Sequence, residues 1–172
     1  SFEKARHAGC DCVIAHHGIF WKGVRDHMGT RAHRIAYLEK HGMTLYGIHL
    51  PLDMHGVVGN NAVLAQRLGI ENLQPFGEYH GMQIGLKGRV GIDMPTLVKR
   101  VTQVTTSPVV LGFGSTKIKQ IAVVSGGGAS TLKDAYAEGV DCLITGEAPH
   151  HVYHEAKECK INLILAGHYE TE

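Results

Sequence analysis

Imidazole and carboxylate side chains follow several apolar segments of this sequence, at the positions where predicted strands end. The segment CVIAHHGIFWKG, residues 12–23, places His16 and His17 directly after an apolar run. Side chains of adjacent residues at a strand end diverge, so the pair could serve two neighbouring sites or one site from two sides. A polar loop that contains two histidines by coincidence is the alternative.

A histidine followed four residues later by an acid occurs twice, each time directly after an apolar segment. The first pair is His49 and Asp53, and the second is His168 and Glu172. Residues four apart face the same way on a helical turn, so the second pair could chelate one ion. Imidazole together with carboxylate suits divalent transition metals such as Zn, Fe, Mn or Co.

These segments supply five candidate metal ligands, namely His16, His17, Asp53, His168 and Glu172. Open α/β sheets place their binding sites beyond the carboxyl ends of parallel strands, and all five residues follow predicted strands. Five ligands exceed one tetrahedral site and suit two metal ions ~3.5–4 Å apart with one bridging carboxylate. The sequence therefore predicts that the five converge on one dinuclear site. A set of separate polar loops is the alternative.

Short apolar runs alternate with segments of helical periodicity, which is typical of βαβ units and a mostly parallel sheet. Strands are predicted at 11–15, 43–48, 119–124, 140–144 and 161–166. Helices are predicted at 1–8, about 27–41, about 60–68, about 94–104, 129–138 and about 149–158. The Gly-rich segment 76–92 contains β-type residues and predicts a hairpin or an edge of the sheet.

The composition is that of a globular protein without an obvious polyanionic partner. The chain has 172 residues, of which 44% are hydrophobic and 19% charged, and its formal net charge is +1. This balance argues against a nucleic acid or an acidic membrane surface as the partner. No apolar run approaches the roughly 18 residues of a membrane span, and the first residues do not show the pattern of a signal peptide. The four cysteines form no Cys-x-x-Cys motif and three lie in or beside apolar runs, so we expect buried, reduced thiols and a cytoplasmic protein.

The sequence contains an internal repeat. Residues 2–17 align with 132–147 at an offset of 130, and alanine, glycine, aspartate, cysteine and isoleucine coincide in the same order. Residues 45–53 align with 164–172, which matches the two histidine–acid pairs with each other. The aspartates at the start of each repeated strand, Asp11 and Asp141, are expected to support the turn before it.

The repeat predicts an α/β fold of two pseudo-duplicated βα lobes with mostly parallel sheets and the metal site between the lobes. We expect one domain over 1–172, with halves at approximately 1–70 and 119–172 joined by a β-rich and helical segment, 71–118. The strand and glycine loop at 121–130, which open the second copy, have no counterpart in the first copy. The helix predicted at 60–68 in the first copy has no counterpart in the second. The segment is therefore expected to lack one N-terminal βα unit and one C-terminal helix.

Five ordered motifs extend over nearly the whole sequence: AHHGIFWKG, YGIHLPLDMHGVVGNNAVLAQRLGI, SGGGAS, DCLITGE and AGHYETE. In these motifs the chain resembles the Nif-three-like dinuclear metal-centre family, whose members are also called GTP cyclohydrolase 1 type 2 homologues. The resemblance implies a two-lobed α/β subunit, a homohexameric ring, and a site for two divalent metal ions inside the ring.

The resemblance also implies roles for individual residues. His16 and His17 match the HHG motif, Asp53 matches HLPLD, and His168 and Glu172 match GHxxTE, which together are the family's metal ligands. Outside that ligand set, His49 matches a histidine near the site that would act from the second coordination sphere or in proton transfer. Glu147 matches the TGE motif and is expected to line the same cavity.

Three other signals have structural explanations that we favour. The SGGGAS loop at 125–130 could cradle a phosphate at a helix N-terminus, but it is neither a Walker loop nor G-x-G-x-x-G. A tight turn followed by helix capping at Ser130 or Ala129 is therefore favoured. The histidines of HHVYHEAK, residues 150–157, are expected on a solvated helix face. Phe20 and Trp21 are expected to contribute to packing, and not to a base-stacking platform.

Two functions from different classes follow from these observations. The first is a dinuclear metal-dependent hydrolase that uses metal-activated water on a purine nucleotide, with ring opening of GTP as the candidate reaction. In that case His49 or Glu147 would relay protons. The second is a non-catalytic hexameric metal-binding scaffold or regulatory interaction protein, since metal binding can hold two lobes together without turnover. No sequence signature of the substrate separates the two.

Overall fold

The computed structural model describes residues 1–20 and 28–172 and divides the chain into two compact units, Ser1–Leu50 and Pro51–Glu172. Trp21 and the first residue of the helix predicted at about 27–41 lie outside the described residues. The boundary between the units falls earlier than the end of the predicted first half, 1–70. The expectation of a single domain over the whole sequence stays a prediction.

The first unit is a helix followed by one strand–helix–strand unit. Its elements are α1 (Phe2–His7), β1 (Cys12–Ala15), α2 (Gly29–Lys40) and β2 (Thr44–Gly47). The two strands are parallel, with Cys12 opposite Thr44 and Ala15 opposite Gly47. The predicted βαβ arrangement is therefore confirmed here. The face of the two-stranded sheet that carries Ile14 is uncovered, which leaves this side chain 72% exposed where the apolar run predicted burial.

The second unit contains a six-stranded sheet in the order β3-β4-β6-β7-β8-β5. Its strands are β3 (Glu71–Tyr79), β4 (Met82–Asp93), β5 (Val109–Leu111), β6 (Lys117–Val124), β7 (Cys142–Thr145) and β8 (Asn162–Leu165). Its helices are α3 (Leu50–Met54, which begins at the boundary), α4 (Asn60–Leu68), α5 (Met94–Thr102), α6 (Leu132–Ala137), α7 (Val152–Cys159) and α8 (His168–Thr171). A 3-10 turn, Gly128–Thr131, precedes α6.

The α/β class predicted from the sequence is confirmed, and the sheet of the second unit is mixed. Strands β6, β7 and β8 are parallel to one another, as the βαβ rhythm predicts. The predicted hairpin is also present, as β3 paired with β4, and it joins the sheet antiparallel to β6. Strand β5 pairs antiparallel with β8 at the opposite edge. The parallel character is thus confined to the centre of the sheet.

The core of the second unit lies on the three parallel strands. All residues of β7 are buried, and the side chains of Ile121 to Val124 in β6 are at most 1% exposed. Leu68 of α4 and Leu97 of α5 are fully buried against this sheet in one apolar cluster. Strands buried on both faces are typical of parallel strands covered by helices, and each such side chain stabilises the fold by roughly 1.5–3 kcal/mol.

Local hydrogen bonds confirm that the two copies of the sequence repeat begin in the same way. Helices α1 and α6 end at equivalent positions, and each is followed two residues later by a glycine with positive φ, +74° at Gly9 and +68° at Gly139. In both copies the residue after this glycine donates its N–H to the helix, from Cys10 to the Ala5 carbonyl (3.0 Å) and from Val140 to the Ala135 carbonyl (2.9 Å).

The strand pairing recurs as well and corrects the alignment by one residue. The Ile48 N–H donates to the Ala15 carbonyl at 2.9 Å, and the Ala166 N–H donates to the Thr145 carbonyl at 2.8 Å. Position 48 therefore corresponds to 166, so the second copy has one extra residue before its histidine–acid pair. Superposition of the two complete halves stays a prediction.

The aspartate before β7 bonds to the starts of the neighbouring strands β6 and β8 and, within the described residues, not to the turn that was expected. The Asp141 carboxylate accepts the N–H groups of Lys119 (2.8 Å) and Gln120 (2.9 Å), and its carbonyl accepts the Asn162 N–H (3.1 Å). In the first copy, the Asp11 carbonyl accepts the Thr44 N–H at 2.8 Å. The two aspartates thus tie the starts of neighbouring strands together.

The cysteines are free thiols, but only one is buried. Cys142 lies in the central strand β7, whereas Cys10 and Cys12 are exposed and Cys159 is intermediate. The expectation of three buried thiols was wrong because the strand that contains Cys12 has an open face. Burial, with the nearby charge of Asp141 as a smaller contribution, strongly raises the pKa of the Cys142 thiol. Within the part of the chain that the structure describes, no helix is long and apolar enough to span a bilayer.

Candidate metal centre

Three histidines come together in the first unit. His16 and His17 follow β1 and His49 follows β2, and the parallel pairing of these strands places their ends side by side. The ring centroids of His16 and His17 are 4.9 Å apart, those of His16 and His49 are 5.0 Å apart, and those of His17 and His49 are 5.2 Å apart. Parallel pairing therefore explains how residues more than thirty positions apart meet.

The three rings suit a divalent cation. One ring nitrogen of each histidine lies within 4.8 Å of the corresponding atoms of the other two. Nitrogen ligands about 2.0–2.1 Å from a tetrahedral metal are about 3.4 Å apart, so small side-chain rotations would complete such a site. His49 is as near to the other two rings as they are to each other, so distance alone does not distinguish it from the predicted ligands His16 and His17.

His168 lies between two carboxylates of the second unit. Its Nδ1 is 2.9 Å from Glu147 Oε1, and its Nε2 is 3.0 Å from Glu172 Oε2. Burial lowers the pKa of His168, but the hydrogen bond to Glu147 and the charge of Glu172 raise it by more, so the net pKa is above its usual value. A divalent cation that both side chains ligated would lie between Nε2 and the Glu172 carboxylate.

The position of Gly126 explains how these two side chains fit against the end of β6. Gly126 has φ +60°, and a Cβ built on it would lie 2.0 Å from Glu172 Oε1 and 3.1 Å from His168 Nε2. Any side chain at this position would therefore occupy the space of the histidine–acid pair. The Gly-rich loop serves as the wall of the candidate site.

The three glycines that follow the parallel strands form a closed cycle of hydrogen bonds with Thr171 of α8. The Gly146 N–H donates to the Gly126 carbonyl (2.8 Å), and the Gly167 N–H donates to the Gly146 carbonyl (2.9 Å). The Gly126 N–H donates to Thr171 Oγ1 (3.0 Å), and this hydroxyl donates to the Gly167 carbonyl (2.9 Å). We call this set the glycine–threonine cycle.

Asp53 is held at the start of the second unit. Its side chain is 5% exposed. Its Oδ1 accepts hydrogen bonds from Asn60 Nδ2 at 2.9 Å and from Ser125 Oγ at 2.8 Å. A ligating carboxylate is typically oriented by such bonds to one oxygen. Ser125 directly precedes Gly126, so Asp53 is connected to the loop that contacts His168 and Glu172.

The phosphate-binding interpretation of SGGGAS does not fit the loop. The N–H groups of Ser125, Gly126 and Gly128 are accepted by side chains of the protein itself, namely Asn61 Oδ1 (2.7 Å), Thr171 Oγ1 (3.0 Å) and Thr145 Oγ1 (2.9 Å). A loop whose N–H groups are used internally is a tight turn, as favoured above. The expected cap differs, because the residue that precedes α6 is Thr131, without a side-chain capping bond.

The other sequence signals lie apart from these clusters. The rings of His150 and His154 are 6.1 Å apart on an exposed surface that includes the start of α7, which confirms the solvated face. Among the described residues neither belongs to a group of three or more potential ligands. Phe20 is 51% exposed, so its expected packing role is not observed.

The structure thus groups the predicted site residues within each unit. It brings His16, His17 and His49 together in the first, and Glu147, His168 and Glu172 in the second. Convergence of all five predicted ligands on one site stays a prediction. The sequence reasoning missed Asn60, Asn61 and Ser125, although the first two follow the HLPLD motif closely and the third opens the Gly-rich loop.

Comparison with known proteins places these features in a family. A family model described as Duf34/NIF3 (NGG1p interacting factor 3) matches residues 1–172. A protein of Archaeoglobus fulgidus named GTP cyclohydrolase 1 type 2 homolog is 40% identical over 172 residues, which is 100% of this chain and 69% of that protein.

Solved structures show the same fold. The protein TTHA1606 from Thermus thermophilus has 36% sequence identity and a TM-score of 0.84, over 99% of this chain and 68% of that one. Reduced HcgD from Methanocaldococcus jannaschii has 26% identity and a TM-score of 0.88, again over 99% and 68%. The chain spans about two thirds of the length of each of these proteins.

Proposed function

Because this chain belongs to the Duf34/NIF3 family, we propose that it is a metal-dependent hydrolase that acts on a purine nucleotide. The observation that carries the proposal is the cluster of His16, His17 and His49, whose ring nitrogens lie within 4.8 Å of one another. The substrate class rests on the name GTP cyclohydrolase 1 type 2 homolog, which relatives such as the Archaeoglobus fulgidus protein bear. The candidate reaction is the opening of the imidazole ring of GTP by water.

The proposed ligands of two divalent ions are His16, His17, Asp53, His168 and Glu172. Their donor set, three imidazoles and two carboxylates, suits Zn, Fe, Mn or Co. The contact of His168 with Glu172 and the two hydrogen bonds to Asp53 support the proposal, because both place ligand atoms in defined orientations. When bound, such ions lower the pKa of coordinated water and supply hydroxide near neutral pH.

Two further residues would move protons or hold the ligands. Glu147 contacts His168 Nδ1 and has a side chain 64% exposed, so it both fixes the orientation of that ring and remains accessible to a substrate. His49 would accept or donate a proton beside His16 and His17. Its ring nitrogen is within reach of theirs, so His49 as an additional ligand is the alternative that a variant can decide.

We further propose that the protein assembles into a homohexamer, as the resemblance implies. Light scattering coupled to size-exclusion chromatography measures the mass of the particle directly. A monomeric or dimeric particle at micromolar concentration would contradict this part of the proposal.

The decisive experiment combines metal analysis with a turnover assay. The purified protein, loaded with Zn, Mn, Fe or Co in turn, should contain about two ions per chain and convert GTP, and a chelator should abolish both properties. The His17→Ala variant should lose metal and turnover together. His154→Ala, which removes an exposed histidine outside the clusters, is the matched control and should retain both.

Other outcomes would change the assignment. Metal binding without conversion of GTP or other purine nucleotides would favour the metal-binding scaffold. Turnover that persists in chelator at full rate would remove the metals from the reaction.

A further inference from the structure

We propose that Ser125 and Asn61 are positioning residues that hold the Asp53 carboxylate ready for metal binding, a role that rests on the proposed metal site. Neither residue belongs to the proposed ligands. Ser125 bonds the carboxylate oxygen Oδ1 of Asp53 directly, whereas Asn61 bonds the Asp53 main-chain carbonyl and the Ser125 N–H.

The Asn61 amide is fully engaged at the centre of this network. Its Nδ2 donates to the Asp53 carbonyl (3.2 Å) and to the Ile84 carbonyl (2.7 Å), and its Oδ1 accepts the Ser125 N–H (2.7 Å). The amide orientation is unambiguous, because two carbonyls require the nitrogen and an N–H requires the oxygen. Asn61 is 1% exposed, so these bonds are shielded from competing water.

Ser125 connects the Asn61 amide to the Asp53 carboxylate by two hydrogen bonds. With its backbone N–H fixed by Asn61, its hydroxyl donates to Asp53 Oδ1 at 2.8 Å. Asn60 Nδ2 donates to the same oxygen at 2.9 Å. Two donors on one carboxylate oxygen restrict the rotation of the carboxylate plane, which is the arrangement that orients a ligating carboxylate before the metal arrives.

The two residues differ in what else they support. Asn61 joins α4 to Asp53, to β4 and to the Gly-rich loop, so its loss would disturb the fold as well as the carboxylate. Among the residues that the structure describes, the Ser125 hydroxyl donates to Asp53 Oδ1 and joins no other element. Ser125 is therefore the residue whose replacement separates positioning from general stability.

The test measures Co²⁺ and Zn²⁺ affinity of four forms of the whole chain: the unchanged protein, Ser125→Ala, Ser125→Thr and the control Ser130→Ala. Ser130 is an exposed serine in the same loop. Loss of an orienting partner typically weakens metal affinity by about 10–100-fold, which is the result expected for Ser125→Ala. Ser125→Thr retains the hydroxyl and should restore affinity, and Ser130→Ala should match the unchanged protein. Urea unfolding of each form reports stability separately.

The outcomes distinguish this inference from the proposed function. An unchanged protein that binds neither ion refutes the metal site itself. If that protein binds metal and Ser125→Ala binds it within a factor of two of Ser130→Ala, the metal site stands and the positioning role is refuted. A loss of affinity in Ser125→Ala that threonine does not restore, at unchanged unfolding free energy, also overturns the role of the hydroxyl.

Discussion

Replacement of Gly126 by alanine should impair metal binding far more than it impairs stability. The new Cβ would lie 2.0 Å from Glu172 Oε1 and 2.8 Å from its Cδ. These atoms are the end of a flexible side chain, so the carboxylate can rotate away at small cost to the fold. It can do so only by leaving the position beside His168 from which it would ligate a metal.

The structure gives the size of both effects. Ordinary van der Waals contact requires the carboxylate oxygen to retreat by about 1.4 Å, whereas a metal–ligand distance tolerates only about 0.2 Å. Loss of that ligand should weaken affinity by at least about 10–100-fold. The positive φ of +60° adds a backbone cost of roughly 1–2 kcal/mol, common to any alanine placed in the left-handed region.

Gly139→Ala is the matched control. Gly139 has φ +68°, and a Cβ built there has nothing within 4 Å. The control should therefore lose a similar unfolding free energy in urea and keep its metal affinity, measured by competition with a chromophoric chelator. If Gly126→Ala binds metal within threefold of Gly139→Ala, Glu172 does not ligate the metal from the position it occupies here.

Three further variants or treatments have defined expected outcomes. Asp53→Ala should lose metal, as measured by mass spectrometry of the bound ions, and unchanged metal content would remove Asp53 from the ligand set. The same variant should lose about 1–3 kcal/mol of unfolding free energy, because the buried groups that donate to Asp53 are left unsatisfied. His49→Ala should keep its metals and lose turnover by ~10²–10⁴-fold, whereas loss of the metals would identify His49 as a ligand. A thiol reagent should modify Cys10 and Cys12 in the native protein but Cys142 only after unfolding, because Cys142 is buried and the pKa of its thiol is raised. Rapid labelling of Cys142 in the native protein would contradict its burial.

The sequence was sufficient for the elements that carry strong local signals. Strands β7 and β8 are continuous apolar runs, and helix α6 ends shortly before Gly139. The existence and the order of these three elements could therefore be predicted. Strand β5 was missed because three residues are too few to show a period. Helix α8, with four residues, was predicted only as the helical turn that brings His168 and Glu172 together.

The candidate site was predictable in its ligand types and not in its supporting contacts. His168 and Glu172 are four residues apart, and a helical turn brings them together without help from the rest of the chain. The bond from Ser125 to Asp53 joins residues 72 positions apart, and only the folded sheet determines that they meet. The mixed sheet was likewise not predicted, because the hairpin pattern of β3 and β4 does not reveal which strand it will pair with.

The glycine–threonine cycle makes the loops after three parallel strands a single cooperative unit. When any one of its four hydrogen bonds opens, the other three no longer form a closed cycle. The amide hydrogens of Gly126, Gly146 and Gly167 should therefore exchange with solvent together, and not independently in three separate loops. Thr171 stands directly before Glu172, so the opening of this unit and the release of that carboxylate are the same local unfolding event. An ion bound there would slow the exchange of glycine amides that it does not touch, since any ligand of the closed form lowers the population of the open one.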